Sequence, residues 1–146
     1  MMEINNRKAK FDYNIEETIE AGIVLTGTEI KSIRQGKANL IDSYAVIKNN
    51  EVLLLGMHIS KYEEGNIFNH DELRTRKLLL HKKEILKINN KLTLEGYTLV
   101  PVKLYFVKNK AKILLGIAKG KKQYDKRESI KKRDQELEIR KQLKNY

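Results

Sequence analysis

The chain has 146 residues and a formal net charge of +11, from 30 Lys and Arg against 19 Asp and Glu. That length suits one domain, and 40% hydrophobic residues allow at least part of it to fold around a core. There is no cysteine, no apolar run near the ~18 residues of a membrane-spanning helix and no apolar signal segment at the start. These absences exclude a disulfide framework and a cysteine zinc site, and the chain reads as cytoplasmic.

In chain order, "YNIEETIEAGIVL" (13–25) has β-branched residues that fall out of step, and it reads as one long bent strand or two short ones broken near Gly22. "TGTEIKSIRQG" (26–36) predicts a helix with Thr28 as N-cap, Ile30 and Ile33 one turn apart, and Gly36 as the stop. "YAVIKNNEVLLLGMHI" (44–59) predicts a hairpin turning at Asn49-Asn50, residues that tolerate positive φ. "LLLHKKEILKINNKLTLEG" (78–96) predicts a second helix, with Leu80, Ile85, Leu86 and Ile88 on one face and Gly96 closing it.

"YTLVPVKLYFVKN" (97–109) alternates after its proline, with Val102, Leu104 and Phe106 set against Lys103 and Tyr105. It reads as a strand with an edge or a bulge at Pro101, the single proline of the chain. "KAKILLGIAKG" (110–120) is its expected antiparallel partner. Short strands with two interposed helices predict a mainly β fold with flanking helices, built on a small antiparallel OB-like barrel.

From Lys119 onward there are eleven basic and five acidic residues, a surplus of +6 within the chain's +11. Asp125 and Glu128 have capping-box spacing. At ~100° per residue, Lys122, Lys126, Arg133, Arg140 and Lys144 fall within about 40° of one another, with no acidic residue in that sector. The apolar residues form no stripe wide enough to dock on a core. The tail is therefore expected to be largely disordered when free and helical against a polyanion, with a solvated extension as the alternative. The basic surplus favours nucleic acid over an anionic membrane as that polyanion.

Catalytic chemistry is missing. "GIAKGKK" has its glycines one residue too close for a phosphate-binding loop, and no Ser or Thr follows. His58, His70 and His81 lack metal-ligand spacing and read as surface or interface residues. Glu16 and Glu17 are neighbours in a strand and point apart.

Three segments carry a resemblance: "DYNIEETIEAGIVLTGTEIKSIRQGKANLIDSY" (12–44), "RTRKLLLHKKEI" (74–85) and "GIAKGKKQYDKR" (116–127). Together they resemble small protein B, the SsrA-binding protein family, over nearly the whole chain. The resemblance implies an OB-like RNA-binding barrel over 1–120 and a basic tail over 121–146 that is helical on the ribosome. It implies a non-enzymatic adaptor of trans-translation with no cofactor and no metal. Such an adaptor binds the tRNA-like domain of transfer-messenger RNA and delivers it to ribosomes stalled on mRNA lacking a stop codon. The tail then occupies the vacant mRNA channel. The implied partners are that RNA, the ribosome with its small-subunit rRNA and, indirectly through the RNA, elongation factor Tu and alanyl-tRNA synthetase; no membrane is implied. The alternative is a structural ribosomal protein with a basic tail.

On the same resemblance, Tyr13, Glu20, Gly22, Leu79 and His81 belong to the face that meets the tRNA-like domain. Tyr13 and His81 can stack on unpaired bases. Glu20 repels phosphate, so it fits only as an acceptor for base or ribose donors, or as the partner of a nearby Arg or Lys. Without the resemblance, Leu79 reads as core. Lys31, Arg34, Arg76 and Lys77 are phosphate-contact candidates. "GKKQYDKR" carries the family's decoding-centre motif, giving Lys121, Lys122, Tyr124, Asp125, Lys126 and Arg127. Ile130, Lys131, Arg133 and Arg140 follow in the tail. The chain departs from the family pattern at Tyr124, where His is frequent, and at Glu72, where proline is usual. The second departure predicts a looser loop around Asn69 and His70. Gln142 beside Leu143 is a third departure, bearing on contacts late in the tail.

Overall fold

The computed structural model describes residues 2–64 and 69–121, with Arg127, Arg133 and Gln135 beyond them. Those three are helical and exposed. The expectations for Lys122, Tyr124, Asp125, Lys126, Ile130, Lys131 and Arg140 lie outside the described residues.

The elements are β1 (Glu3–Asn5), α1 (Arg7–Asp12), β2 (Tyr13–Ile23), α2 (Gly27–Arg34), β3 (Ala38–Asn39), β4 (Tyr44–Lys48), β5 (Glu51–Leu55), β6 (His58–Ile59), β7 (Arg76–Leu79), α3 (Lys82–Leu94), β8 (Thr98–Val107) and β9 (Lys110–Gly120). Seven strands form one antiparallel sheet in the order β1-β8-β9-β2-β7-β5-β4, and β3 pairs with β6 separately. The sheet curls until β4, at one edge, lies against β8 near the other. The edge strands β1 and β4 do not pair with each other, so the ladder stays open and the fold is OB-like without full closure.

Strand alternation sorts the side chains. Ala21, Ile23, Val52, Leu54, Leu78, Leu104, Ile113 and Leu115 point inward and are buried, joined by Ile33 from α2 and Ile88 from α3. Two hairpins close on two-residue turns with φ of 52° and 60° at Asn49 and Asn50, and 49° and 66° at Lys108 and Asn109. Positive φ at both positions matches the strand twist. Pro101 pairs with Leu115 on β9 and lies beyond the β1 pairing, which covers Lys103 to Tyr105; the register shifts between Pro101 and Lys103, so a bulge accompanies the missing donor.

Several expectations need correction. β2 is one strand, and its irregularity lies between Ile15 and Glu17 instead of at Gly22. Thr26, not Thr28, caps α2: its hydroxyl accepts from the Glu29 N–H while Glu29 accepts from the Thr26 N–H at 2.8 Å. Thr28 turns to His70 instead. The second helix starts at Lys82, not Leu78: Leu78 and Leu79 belong to β7, and Leu80 precedes the helix. Leu86 is 63% exposed, so the inner side of α3 is carried by Ile88 with Ile85 and Leu92. His70 is buried, with Nδ1 2.9 Å from the Thr28 hydroxyl and Nε2 2.9 Å from the Ile59 carbonyl. Asn69 accepts from the Tyr62 N–H and donates to its carbonyl, while Glu72 bonds His58 Nε2 at 2.8 Å. Glu72 thereby ties the segment after His70 to β6, and Asn69 ties it to the Tyr62 backbone.

The deepest polar feature joins α2 to β7. Glu29 is fully buried. Its carboxylate accepts from Arg74 at 2.6 Å, from Arg76 Nε at 2.6 Å and from the Thr26 N–H. Arg76 also donates to the Met57 carbonyl at 2.6 Å. Burial pushes the Glu29 carboxyl up, but the bonds from Arg74, Thr26 and Arg76 outweigh it and hold the group below the ordinary carboxylate range.

A group with a depressed folded-state pKa adds stability above its unfolded value, about 4.3, and loses it as pH falls through the folded value. Glu29→Ala should therefore cost ~3–5 kcal/mol at neutral pH, because it strands two arginines. In urea unfolding, the gap to the unsubstituted protein should narrow in acid. A gap that stays constant down to about pH 3 would mean that Glu29 ionisation does not support the fold.

Candidate nucleic-acid interface

Period-two alternation also builds the outer face. In register across four strands, Tyr105 on β8 lies beside Lys112 on β9, Lys112 beside Gly22 on β2, and Gly22 beside Leu79 on β7. Cross-strand neighbours share a face, so these four residues form one row. Glu20 lies two residues from Gly22 on the same face. An open groove here is lined by Glu20, Gly22, Leu79, Leu80, His81, Glu84 and Lys112.

Each lining residue has a local reason for its place. Leu79 is 53% exposed because Leu78 takes the inner position, which corrects the reading of Leu79 as core. Gly22 is there for space: a Cβ on it would sit 3.3 Å from the Leu79 Cβ. His81 is exposed at the start of α3, its backbone N–H donating to Glu84 at 3.0 Å. Glu20 is exposed and accepts a hydrogen bond from the Tyr105 hydroxyl. Burial and the neighbouring Glu20 push that hydroxyl up to about 12.

Four of the five residues assigned to one face thus converge, and Tyr13 does not join them. It stands at the other end of β2, seven residues from Glu20 and so at most ~23 Å away. There it packs against Ala9, Val100 and Ala118 and lines a different pocket with Asn6, Lys8, Ile41 and Tyr44. Among the phosphate-contact candidates, Lys31 and Arg34 are exposed on α2, their cations 5.4 Å and 5.3 Å from the rings of Tyr62 and Phe106. Neither lines the groove. Lys77 points outward and pairs with Glu51 at 3.0 Å. Arg76 requires a correction. It alternates to the inner face with Leu78, is completely buried and is committed to Glu29 and backbone carbonyls, so it offers nothing to a phosphate.

Sequence reasoning missed Lys112, Leu80 and Glu84 in the groove, and the part played by Tyr105. The alternation after Pro101 already placed Tyr105 outward. The position of Lys112 opposite Gly22 depends on the β2–β9 register, for which the sequence carried no signal. Among the described residues no helix is long and apolar enough to cross a membrane.

The SmpB protein family model matches residues 3–145. The chain belongs to the SmpB family. It is 62% identical over 141 residues to the SsrA-binding protein of Ligilactobacillus salivarius, covering 97% of this chain and 91% of that relative. It is 59% identical over 139 residues to the SsrA-binding protein of Staphylococcus aureus strain Newman, covering 95% and 90%. A solved structure described as "tmRNA-SmpB: a journey to the center of the bacterial ribosome" contains a chain that is 45% identical with a TM-score of 0.69, covering 88% of this chain and 94% of that one.

The two faces of β7 should separate in urea unfolding. Leu78→Ala should cost ~2–5 kcal/mol for the cavity it leaves, and Arg76→Ala ~3–5 kcal/mol for the unpaired Glu29. Leu79→Ala and Lys77→Ala should stay within about 0.5–1 kcal/mol. Equal losses at Leu78 and Leu79 would remove Leu79 from the outer face.

Proposed function

We propose that this SmpB-family chain is the RNA-binding adaptor of trans-translation and carries out no catalysis. The observation that carries this reading is the groove on the outer sheet face, where Glu20, Gly22, Leu79 and His81 converge. An exposed leucine, an imidazole and an acceptor carboxylate beside a lysine suit unpaired nucleotides better than a duplex backbone. The relatives of this chain are SsrA-binding proteins, and its structural neighbour is described with tmRNA and the ribosome.

The groove binds the tRNA-like domain of transfer-messenger RNA, and the stacked cations of Lys31 and Arg34 supply phosphate contacts around it. Tyr13 stacks on a second unpaired base of the same RNA. Residues 1–120 suffice for this binding. The tail from 121 serves a different RNA: Lys126, Arg133 and Arg140 align toward small-subunit rRNA in the vacant mRNA channel, with Lys121, Lys122, Tyr124, Asp125, Arg127, Ile130 and Lys131 in the decoding-centre stretch. Elongation factor Tu and alanyl-tRNA synthetase join through the RNA, and the work is cytoplasmic.

The two parts are tested separately. A chain ending at Gly120 should keep most of its affinity for the tRNA-like domain in filter binding. A loss of about a hundredfold, ~2.7 kcal/mol, would defeat the division of labour. Replacing Lys31 or Arg34 with Ala should lower the log–log salt slope by about one unit per lost phosphate contact, whereas Tyr13→Ala should weaken binding with little change of slope. In the tail, Ile130→Pro should abolish tagging of a protein made from mRNA without a stop codon while leaving RNA binding intact. Normal tagging by that variant would reduce the tail to an electrostatic tether.

A further inference from the structure

A carboxylate on an RNA-binding face needs an explanation, because it repels phosphate. Glu20 has one in its partner. Its Oε2 accepts from the Tyr105 hydroxyl. The two residues stand on β2 and β8, with β9 between them in the sheet, so the bond spans two ladder spacings over the outer surface. We propose that Tyr105 is the positioning residue of the groove, fixing Glu20 as an acceptor for an amino or hydroxyl donor of an unpaired nucleotide; this rests on the reading of the groove as an RNA site.

The geometry supports it in three ways. The ring is itself held: Tyr105 is half-buried, with Lys103 Nζ 5.2 Å from its centroid. Its hydroxyl, pushed up to about 12, keeps its proton throughout the physiological range and so remains a donor. The bond uses one lone pair of Oε2 and leaves Oε1 available to a ligand. A carboxylate oxygen cannot accept from a phosphate, but it can accept from the amino group of cytosine or guanine and from a ribose 2′-OH. Fixed in this way, Glu20 favours a splayed nucleotide over backbone at this point. Lys112, in the same groove and next to Gly22 in register, offsets one of the groove's two carboxylates, Glu20 and Glu84, which further disfavours phosphate and favours a donor at this point.

Strand β2, which carries Glu20, also carries Glu16 and with it an internal control. Tyr97 donates to Glu16 in a second tyrosine–glutamate bond, and neither residue lines the groove. The experiment uses the full chain and a transcribed tRNA-like domain in filter binding, with Tyr105→Phe, Glu20→Gln, their combination and Tyr97→Phe. Tyr105→Phe should weaken binding about three- to tenfold, as for one hydrogen bond, with an unchanged salt slope and urea midpoint. The double variant should bind no worse than Glu20→Gln alone, because the hydroxyl acts only through the carboxylate. Tyr97→Phe should bind like the unsubstituted chain. Unchanged affinity in Tyr105→Phe, additive losses in the double variant, or an equal loss in Tyr97→Phe would each overturn the positioning role. Failure of the unsubstituted chain to bind the RNA would instead overturn the function proposed above.

Discussion

The outer face of this protein depends on a buried ion pair that never reaches it. β7 reads Arg76-Lys77-Leu78-Leu79 and is followed by Leu80, so three leucines stand in a row. A strand slipped by one residue would still bury a leucine, and hydrophobic burial alone therefore leaves the register poorly specified. Arg76 removes the ambiguity. Its guanidinium meets the fully buried carboxylate of Glu29, and a one-residue slip would turn Arg76 to solvent, put Lys77 inside and leave Glu29 with only part of its donors. An unpaired buried carboxylate costs several kcal/mol, more than a swap of one leucine for another. The ion pair thus selects the register that sends Leu79 outward and delivers the chain to His81 at the start of α3.

The same carboxylate has a second task. Glu29 is the third residue of α2 and completes the capping box with Thr26. One side chain therefore ends the loop from β2, starts α2 and locks β7. This concentration explains why two stretches far apart in sequence, "TGTE" and "RTR", are one structural unit. It also explains why Arg76 misleads as a phosphate contact: beside Lys77 it looks like surface charge, but alternation sends the two residues to opposite sides of the sheet.

Much of the frame was legible in the sequence because it is local. The first hairpin is set by Asn49 and Asn50, which tolerate positive φ, the bulge by the missing donor of Pro101, and the helix stops by Gly36 and Gly96, at φ of 76° and 71°. What stayed illegible is long-range. The choice between Thr26 and Thr28 as cap depended on where Glu29 would be held, 45 and 47 residues from Arg74 and Arg76. β7 has only four residues and no turn signal of its own. The burial of His70 required Ile59 and Thr28 to meet around it. In the groove, Glu20, Gly22, Leu79 and His81 were legible only through resemblance, and Lys112 not even so, because the register of β2 against β9 appears in neither strand alone.

That register also sets the distance between the groove and the point where the chain leaves the sheet. β9 runs the length of β2, with Lys112 opposite Gly22 at one end and Gly120 opposite Tyr13 at the other. The groove therefore lies at the start of β9, and the chain leaves the sheet at its far end, where the Lys121 N–H donates to the Asp12 carbonyl at 2.8 Å. At ~3.3 Å per residue, the eight residues from Lys112 to Gly120 separate these points by about 26 Å. That exceeds the ~8 Å screening length at physiological ionic strength roughly threefold, so charge at the base of the tail exerts little force at the groove. On the function proposed above, the groove and Tyr13 contact one RNA from opposite ends of β2, the tail leaves beside Tyr13, and the rigid ladder fixes these separations.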